Sequence, residues 1–179
     1  MSTLTTRRMT VEEYRLTHED DRTELIEGVV VEKMTKNRAH SIGATNSRQA
    51  IERVLPPGWH VGAETPVLLP GVVTLKEPDV SVIRGAANDY AEIDPGPPDV
   101  ALIAEVSDTS VAKDRALAFT YPSAGVPTYW LVNVRDRQLE VYTTDPSTPV
   151  VIAEDGHAEL VLDGRVVARI AVADLLPRL

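Results

Sequence analysis

The apolar positions along this chain change period several times, and each change marks an element. Thr10-Val-Glu-Glu13 has the spacing of a capping box, with Thr10 as N-cap and Glu13 reaching back, which predicts a short helix over residues 10–17 ended by His18-Glu-Asp-Asp21. Residues 22–34 alternate around Glu27-Gly28, with Leu25, Val29, Val31 and Met34 apolar, the pattern of two strands joined by a tight turn. From Asn37 to Leu55 the apolar positions Ile42, Ala50, Ile51 and Val54 recur at helical spacing until Pro56-Pro57-Gly58, so a long amphipathic helix is expected.

Short β-like runs follow at 59–63, 66–69 and 79–83, broken by Pro66, Pro70-Gly71 and Pro78, and then a Pro-rich polar loop from Gly85 to Pro98. A loop of that length is expected to be functional or mobile. Val100-Ala-Leu-Ile-Ala-Glu-Val106 is apolar except at Glu105, as in a central strand buried on both faces. Ser107-Asp-Thr-Ser110 can cap a helix over 111–122, and Pro122 and Gly125 end it. A further apolar strand, Thr128-Tyr-Trp-Leu-Val132, and a partner at 138–143 come next. Segments 149–153, 158–162 and 165–170 read as an antiparallel meander closed by a helical turn at 172–176.

With 179 residues, 43% of them hydrophobic, the chain suits one domain over 1–179, with its core about 9–142 and a C-terminal β segment at 149–176. The sequence holds no cysteine, which excludes disulfides and thiolate metal sites and points to the cytoplasm. Met1 to Met9 holds no leader-like apolar stretch, and no run approaches the roughly 20 apolar residues of a membrane span, so no membrane partner is expected. A net charge of −9 argues against broad adhesion to phosphate backbones, which needs many Lys and Arg. Aromatic residues make up only 4%, leaving little for base-stacking surfaces, and Trp59 and Trp130 are expected in or near the core.

Pro78-Asp79 opens one strand and Glu105 lies near the end of another, so two carboxylates can meet at one end of a sheet. Mg²⁺ takes octahedral oxygen ligation, from one or two carboxylates plus waters and phosphate oxygens, and Asp79, Glu105 and the carbonyl of Val106 could supply the protein's share. Such a metal acidifies a bound water and neutralises charge on a scissile phosphate. The alternative is a structural ion pair with a Lys or Arg, the commoner fate of a lone acid in a strand. The four histidines lack the HxxxH spacing of a zinc protease, and Gly-rich phosphate loops are absent.

The ordered set Met9-Thr-Val-Glu-Glu-Tyr14, Glu24-Leu-Ile-Glu-Gly28, His40, Pro78-Asp79, Glu105-Val-Ser107 and Ala124-Gly-Val-Pro-Thr-Tyr-Trp-Leu-Val132 resembles the Uma2 family of restriction-endonuclease-like proteins in the PD-(D/E)XK nuclease superfamily. The likeness runs from about Met9 to Tyr142 and continues more weakly to Asp174-Leu-Leu176. It implies an α/β (α+β) fold with a restriction-endonuclease-like mixed central sheet flanked by helices. It also implies Asp79 and Glu105 as metal ligands, Glu24 as a further acidic site residue and His40 as a site histidine at the start of the long helix. Glu24 could equally pair with Arg22 or Lys33, and His40 could be a helix-start cap or a solvated side chain.

One departure concerns the catalytic lysine. The superfamily's simplest form has it two residues after the second acid, which here is Ser107. Members of this family carry it on the following helix, four residues before the tyrosine matching Tyr121, which here is Leu117. Lys113 is the nearest replacement, about 6 Å earlier along the helix on the same face, and its alternative is a solvated pair with Asp114 or Asp108. Arg115 points to another face, and its pKa excludes it as a base.

The expected function is therefore hydrolysis of DNA phosphodiester bonds by a metal-dependent endonuclease using Mg²⁺ or Mn²⁺, with DNA as partner and a homodimer as the assembly. The alternative is a catalytically impaired nuclease fold acting as a binding or assembly module. A third reading is a structural protein whose C-terminal strands pair between subunits.

Overall fold

The computed structural model describes residues 8–18, 22–33, 35–143 and 145–178. Most of Met1–Met9, the acidic stop at 19–21 and Met34 lie outside the described residues.

Helix α1, Val11–His18, begins on the capping box: the Glu13 amide donates to Thr10 Oγ1 at 3.2 Å and the Thr10 amide to Glu13 Oε2 at 3.0 Å. Strands β1, Thr23–Ile26, and β2, Val29–Glu32, pair antiparallel around Glu27-Gly28. Both turn residues have positive φ, 49° and 77°, as a two-residue hairpin turn that follows the strand twist requires. Helix α2, Arg38–Glu52, is capped by Asn37, whose side chain accepts from the His40 amide. Its inward face is Gly43, Ser47, Ala50 and Ile51, whereas Ile42 is exposed. A glycine and a serine, invisible to an apolar pattern, let the helix lie close to the sheet.

Strands β3, Trp59–Gly62, and β4, Val67–Leu69, fall where the pattern placed them, but β5, Thr74–Lys76, follows as a strand the pattern did not reveal. Strand β6 is Val80–Arg84, and the 85–98 segment contains one short 3-10 turn, Ala87–Tyr90. Strand β7, Val100–Ser107, is buried throughout; α3, Val111–Ser123, follows, then β8, Tyr129–Asn133, and β9, Gln138–Tyr142. The C-terminal antiparallel strands are β10, Val150–Ala153, β11, His157–Leu162, and β12, Arg165–Ala171. β10 adds to β9, while β11 and β12 pair with each other.

The main sheet is six-stranded and mixed, in the order β10-β9-β8-β7-β6-β3, with β7 and β8 parallel. A four-stranded sheet, β2-β1-β5-β4, stands beside it. Alternation along β7 sorts its side chains: Leu102, Ala104 and Val106 join the core that includes Ile51 of α2, while Ile103 joins the core that includes Leu117 and Tyr121 of α3. Trp130 is buried in the first core, and Trp59 packs against its edge with the Arg84 guanidinium 4.4 Å above its ring. Among the described residues no helix is long and apolar enough to cross a membrane.

Candidate active site

Sheet register brings the two acids together. Val80 of β6 stands opposite Ala104 of the antiparallel β7, so Asp79, one residue back, faces Glu105, one residue on. The Val106 amide, past the last paired position with β6, donates instead to Asp79 Oδ2 at 2.8 Å, and the Asp79 amide points to Glu105 Oε2 at 3.4 Å. Both carboxylates are almost wholly buried, with Asp79 4% and Glu105 5% exposed.

The same reasoning places a second pair. Leu25 of β1 stands opposite Leu75 of β5, so Glu24 faces Lys76 across that antiparallel pair. Lys76 Nζ lies 3.5 Å from Glu24 Oε1 and 2.5 Å from Glu105 Oε1. Tyr121, from α3, donates its hydroxyl to the same Glu105 oxygen at 3.0 Å. Glu105 thus does have a lysine partner, as the structural-ion-pair reading expected, but the partner lies inside the acidic cluster.

Asp79 is held from the other side. His40 Nε2, at the first turn of α2, is 2.9 Å from Asp79 Oδ2, and Lys36 Nζ is 2.7 Å from Oδ1 while also reaching Glu64 at 2.6 Å. His40 is therefore turned inward on Asp79. Glu24 joins Lys76, while Lys33 pairs with Glu77 at 2.5 Å. Among the described residues, the side chains that reach the two carboxylates are Lys36, His40, Lys76 and Tyr121. Lys113 is exposed and lines the cavity mouth without reaching them. Leu117, one turn before Tyr121, is buried in apolar packing. Arg115 leaves the site altogether and grips Glu140 of β9 at 2.6 and 2.9 Å.

The electrostatics follow from burial and these partners. Burial would raise Asp79, but the hydrogen bond and charge of His40 and the Lys36 ammonium outweigh it, holding the carboxyl well below its usual range. Burial pushes Glu105 up to about 7, against the pull of Lys76 and helped by the charges of Asp79 and Glu24. Burial would lower Lys76, yet the charges of Glu105 and Glu24 prevail and keep its ammonium more firmly protonated than usual.

These groups floor a cavity of about 480 Å³, whose lining also includes Arg22, Lys33, Glu64, Glu77, Asp108 and Lys113. Among the described residues no group of three or more His, Asp or Glu side chains is arranged to hold a metal by itself. Any ion here would complete its shell from backbone, water and substrate, the habit of Mg²⁺ rather than of zinc.

A mixed sheet flanked by helices, with an acid at the start of one central strand facing an acid late on the next, is the restriction-endonuclease-like fold. The chain belongs to the Uma2 family, described as "Putative restriction endonuclease", whose sequence model matches residues 11–168. A crystal structure of "a putative nuclease belonging to DUF820 from Anabaena variabilis ATCC 29413" shares the fold at a TM-score of 0.68 and 19% identity, over 93% of this chain and 97% of that one. No curated protein matches the chain.

Sequence reasoning missed Lys76 and Lys36. The signal for Lys76 was present: Thr74-Leu-Lys76 alternates and could pair with Glu24-Leu25, but a three-residue run between Val73 and Pro78 is too short to stand out.

Proposed function

We propose that the chain is a metal-dependent endonuclease that hydrolyses DNA phosphodiester bonds, with water as nucleophile. The observation that carries this reading is the facing of Asp79 and Glu105 across the β6–β7 pair at the floor of a cavity lined by side chains of both charges. Their four oxygens are hard donors, and two ammonium groups already lie against them, so the donor set suits a hard divalent cation. Asp79, Glu105 and the Val106 carbonyl would hold Mg²⁺ or Mn²⁺, which when bound acidifies water and neutralises charge developing on the phosphate.

The chain's own groups divide the remaining work. His40 and the Val106 amide fix Asp79 Oδ2, so this carboxylate is oriented and ionised before any ligand arrives. Lys36 sits on Oδ1 as a counter-ion that is only partly buried, so it could turn into the cavity toward a phosphodiester if Asp79 were to hold a metal. Arg22 and Lys33, the latter shared with Glu77, lie on the cavity lining of a chain whose net charge is −9, which favours weak, salt-sensitive DNA binding. Cutting both strands of a duplex needs two such sites related by two-fold symmetry, so a cytoplasmic homodimer goes with this reading.

Nicking of supercoiled DNA with Mg²⁺ or Mn²⁺ tests it. Asp79→Ala and Glu105→Ala should each lower the rate by roughly 10³-fold or more. No cleavage with either ion, at protein excess and low salt, contradicts it. One observation favours a second reading, a binding or assembly module on a disabled nuclease fold: Leu117, at the position where the family resemblance implies a lysine, is buried in apolar packing. That reading expects no divalent ion to bind in a calorimetric titration.

A further inference from the structure

Lys76 stands in the cavity floor at a position the β1–β5 register dictates, and the nuclease reading gives it no role of its own. It sits at the end of β5, paired across the strands with Glu24, and only 9% of its side chain is exposed. Its ammonium lies 2.5 Å from Glu105 Oε1, the oxygen that also accepts from Tyr121. A buried lysine–glutamate pair is a poor stabiliser, because desolvation offsets most of its attraction and apolar residues of similar size often serve as well. A lysine kept in such a place, at the floor of an open cavity, points to chemistry. The three other lysines that line the cavity differ from it: Lys33 pairs with Glu77 at 2.5 Å. Lys36 is 37% exposed and shared between Asp79 and Glu64, and Lys113 is exposed and does not reach either acid.

We infer that Lys76 is the fixed cation of the site: from β5 it positions Glu105 and presents the positive charge that helix α3, with Leu117 buried one turn before Tyr121, does not provide. This rests on the nuclease reading and deepens it. Its ammonium, seated on the Glu105 oxygen that also accepts from Tyr121 of α3, supplies that charge from β5, so the site needs no amine from α3. Lys113 is then dispensable.

The parent protein, Lys76→Met and Lys113→Met are compared in three measurements: circular dichroism, Mn²⁺ titration by calorimetry, and single-turnover cleavage of a DNA duplex. Expected for Lys76→Met are an unchanged spectrum, Mn²⁺ affinity equal to or tighter than the parent's because a nearby positive charge is gone, and cleavage lowered roughly 100-fold or more. Lys113→Met should stay within about threefold of the parent in both binding and cleavage, the ordinary scale of an exposed charge. Because the chain has no cysteine, Lys76→Cys supplies a unique thiol for a second variant. Its aminoethyl derivative restores an amine of lysine length and should regain cleavage, whereas a propyl derivative of equal length should keep the fold and Mn²⁺ binding without it.

Cleavage by Lys76→Met within about threefold of the parent overturns the assignment, as does joint loss of Mn²⁺ binding and cleavage in both Lys76→Met and the propyl derivative, which marks a structural role. A parent that does not cleave overturns the nuclease reading itself, and the role of Lys76 with it. A parent that cleaves beside an equally active Lys76→Met overturns Lys76 alone.

Discussion

Gly43 packs α2 directly against Val106 of the site strand, and Gly43→Ala tests how tightly helix position controls the acids. A Cβ there would stand 2.8 Å from Val106 Cγ1, 3.5 Å from Val134 Cγ2 and 3.8 Å from the Leu175 carbonyl oxygen. Comfortable carbon contacts begin near 3.5 Å, so the helix or Val106 must give way by roughly 0.7 Å. Val is stiff at χ1, and its own amide holds Asp79 Oδ2, so much of the shift falls on the helix. Alanine gains about 1 kcal/mol over glycine in a helix, while overpacking a core costs about 1–3 kcal/mol. The net is a loss of about 1 kcal/mol, or roughly 2–4 °C in Tm for a chain of this size.

His40 stands one turn before Gly43 on the same helix, so the displacement also strains its 2.9 Å contact with Asp79. Misplacement of that order in a catalytic constellation can cost up to about 100-fold in rate. Thermal melts and cleavage rates of Gly43→Ala, Val106→Ala and the double variant form a cycle, in which Val106→Ala removes the clashing atom. A coupling energy of at least about 1 kcal/mol is expected. A more stable Gly43→Ala with unchanged cleavage would refute the reasoning, because helix propensity alone would then be operating.

Two further outcomes follow from the charged clusters. Glu105, pushed up to about 7 from 4.5, holds its proton more firmly in the folded protein than in the unfolded chain. The folded state therefore binds more protons between those values, and metal-free stability should fall as pH rises from about 4.5 to 7, by up to about 3 kcal/mol relative to Glu105→Gln. Parallel urea midpoints for the two proteins across that range would contradict it. Away from the cavity, Glu140 is held down at about 2, against its burial, by Arg115, Tyr142, Asn133 and Gln138. Its contribution is full above the unfolded value of 4.5 and is lost as pH falls toward 2. Arg115→Ala should cost about 1–2 kcal/mol at neutral pH, since the other donors remain, and leave cleavage unchanged. A tenfold fall in cleavage would place Arg115 in the site after all.

The elements legible in the sequence were those with strong local signals: the Thr10 capping box, the Glu27-Gly28 turn, the uniformly apolar β7 and the Pro-bounded α3. Asp79 and Glu105 stood out because a charge in an apolar strand is conspicuous. What stayed hidden depended on register between distant segments. β5 is too short to show a period, so neither its pairing with β1 nor the arrival of Lys76 beside Glu105 could be read. Gly43 and Ser47 form the buried face of α2 because close approach, rather than hydrophobicity, selects them, and Ile42 drew the eye to the wrong side. β10 looked like part of a C-terminal meander because its pairing with β9 is set across the 143–149 connection, which carries no pattern of its own.

Anomalous diffraction from crystals soaked in Mn²⁺ tests metal binding by the facing acids most directly. Expected is one peak between Asp79 and Glu105, within bonding distance of both carboxylates, with the Lys36 ammonium withdrawn from Asp79 Oδ1 and Lys76 still on Glu105. A fully soaked crystal with no peak there, and Lys36 still seated on Asp79, would contradict it.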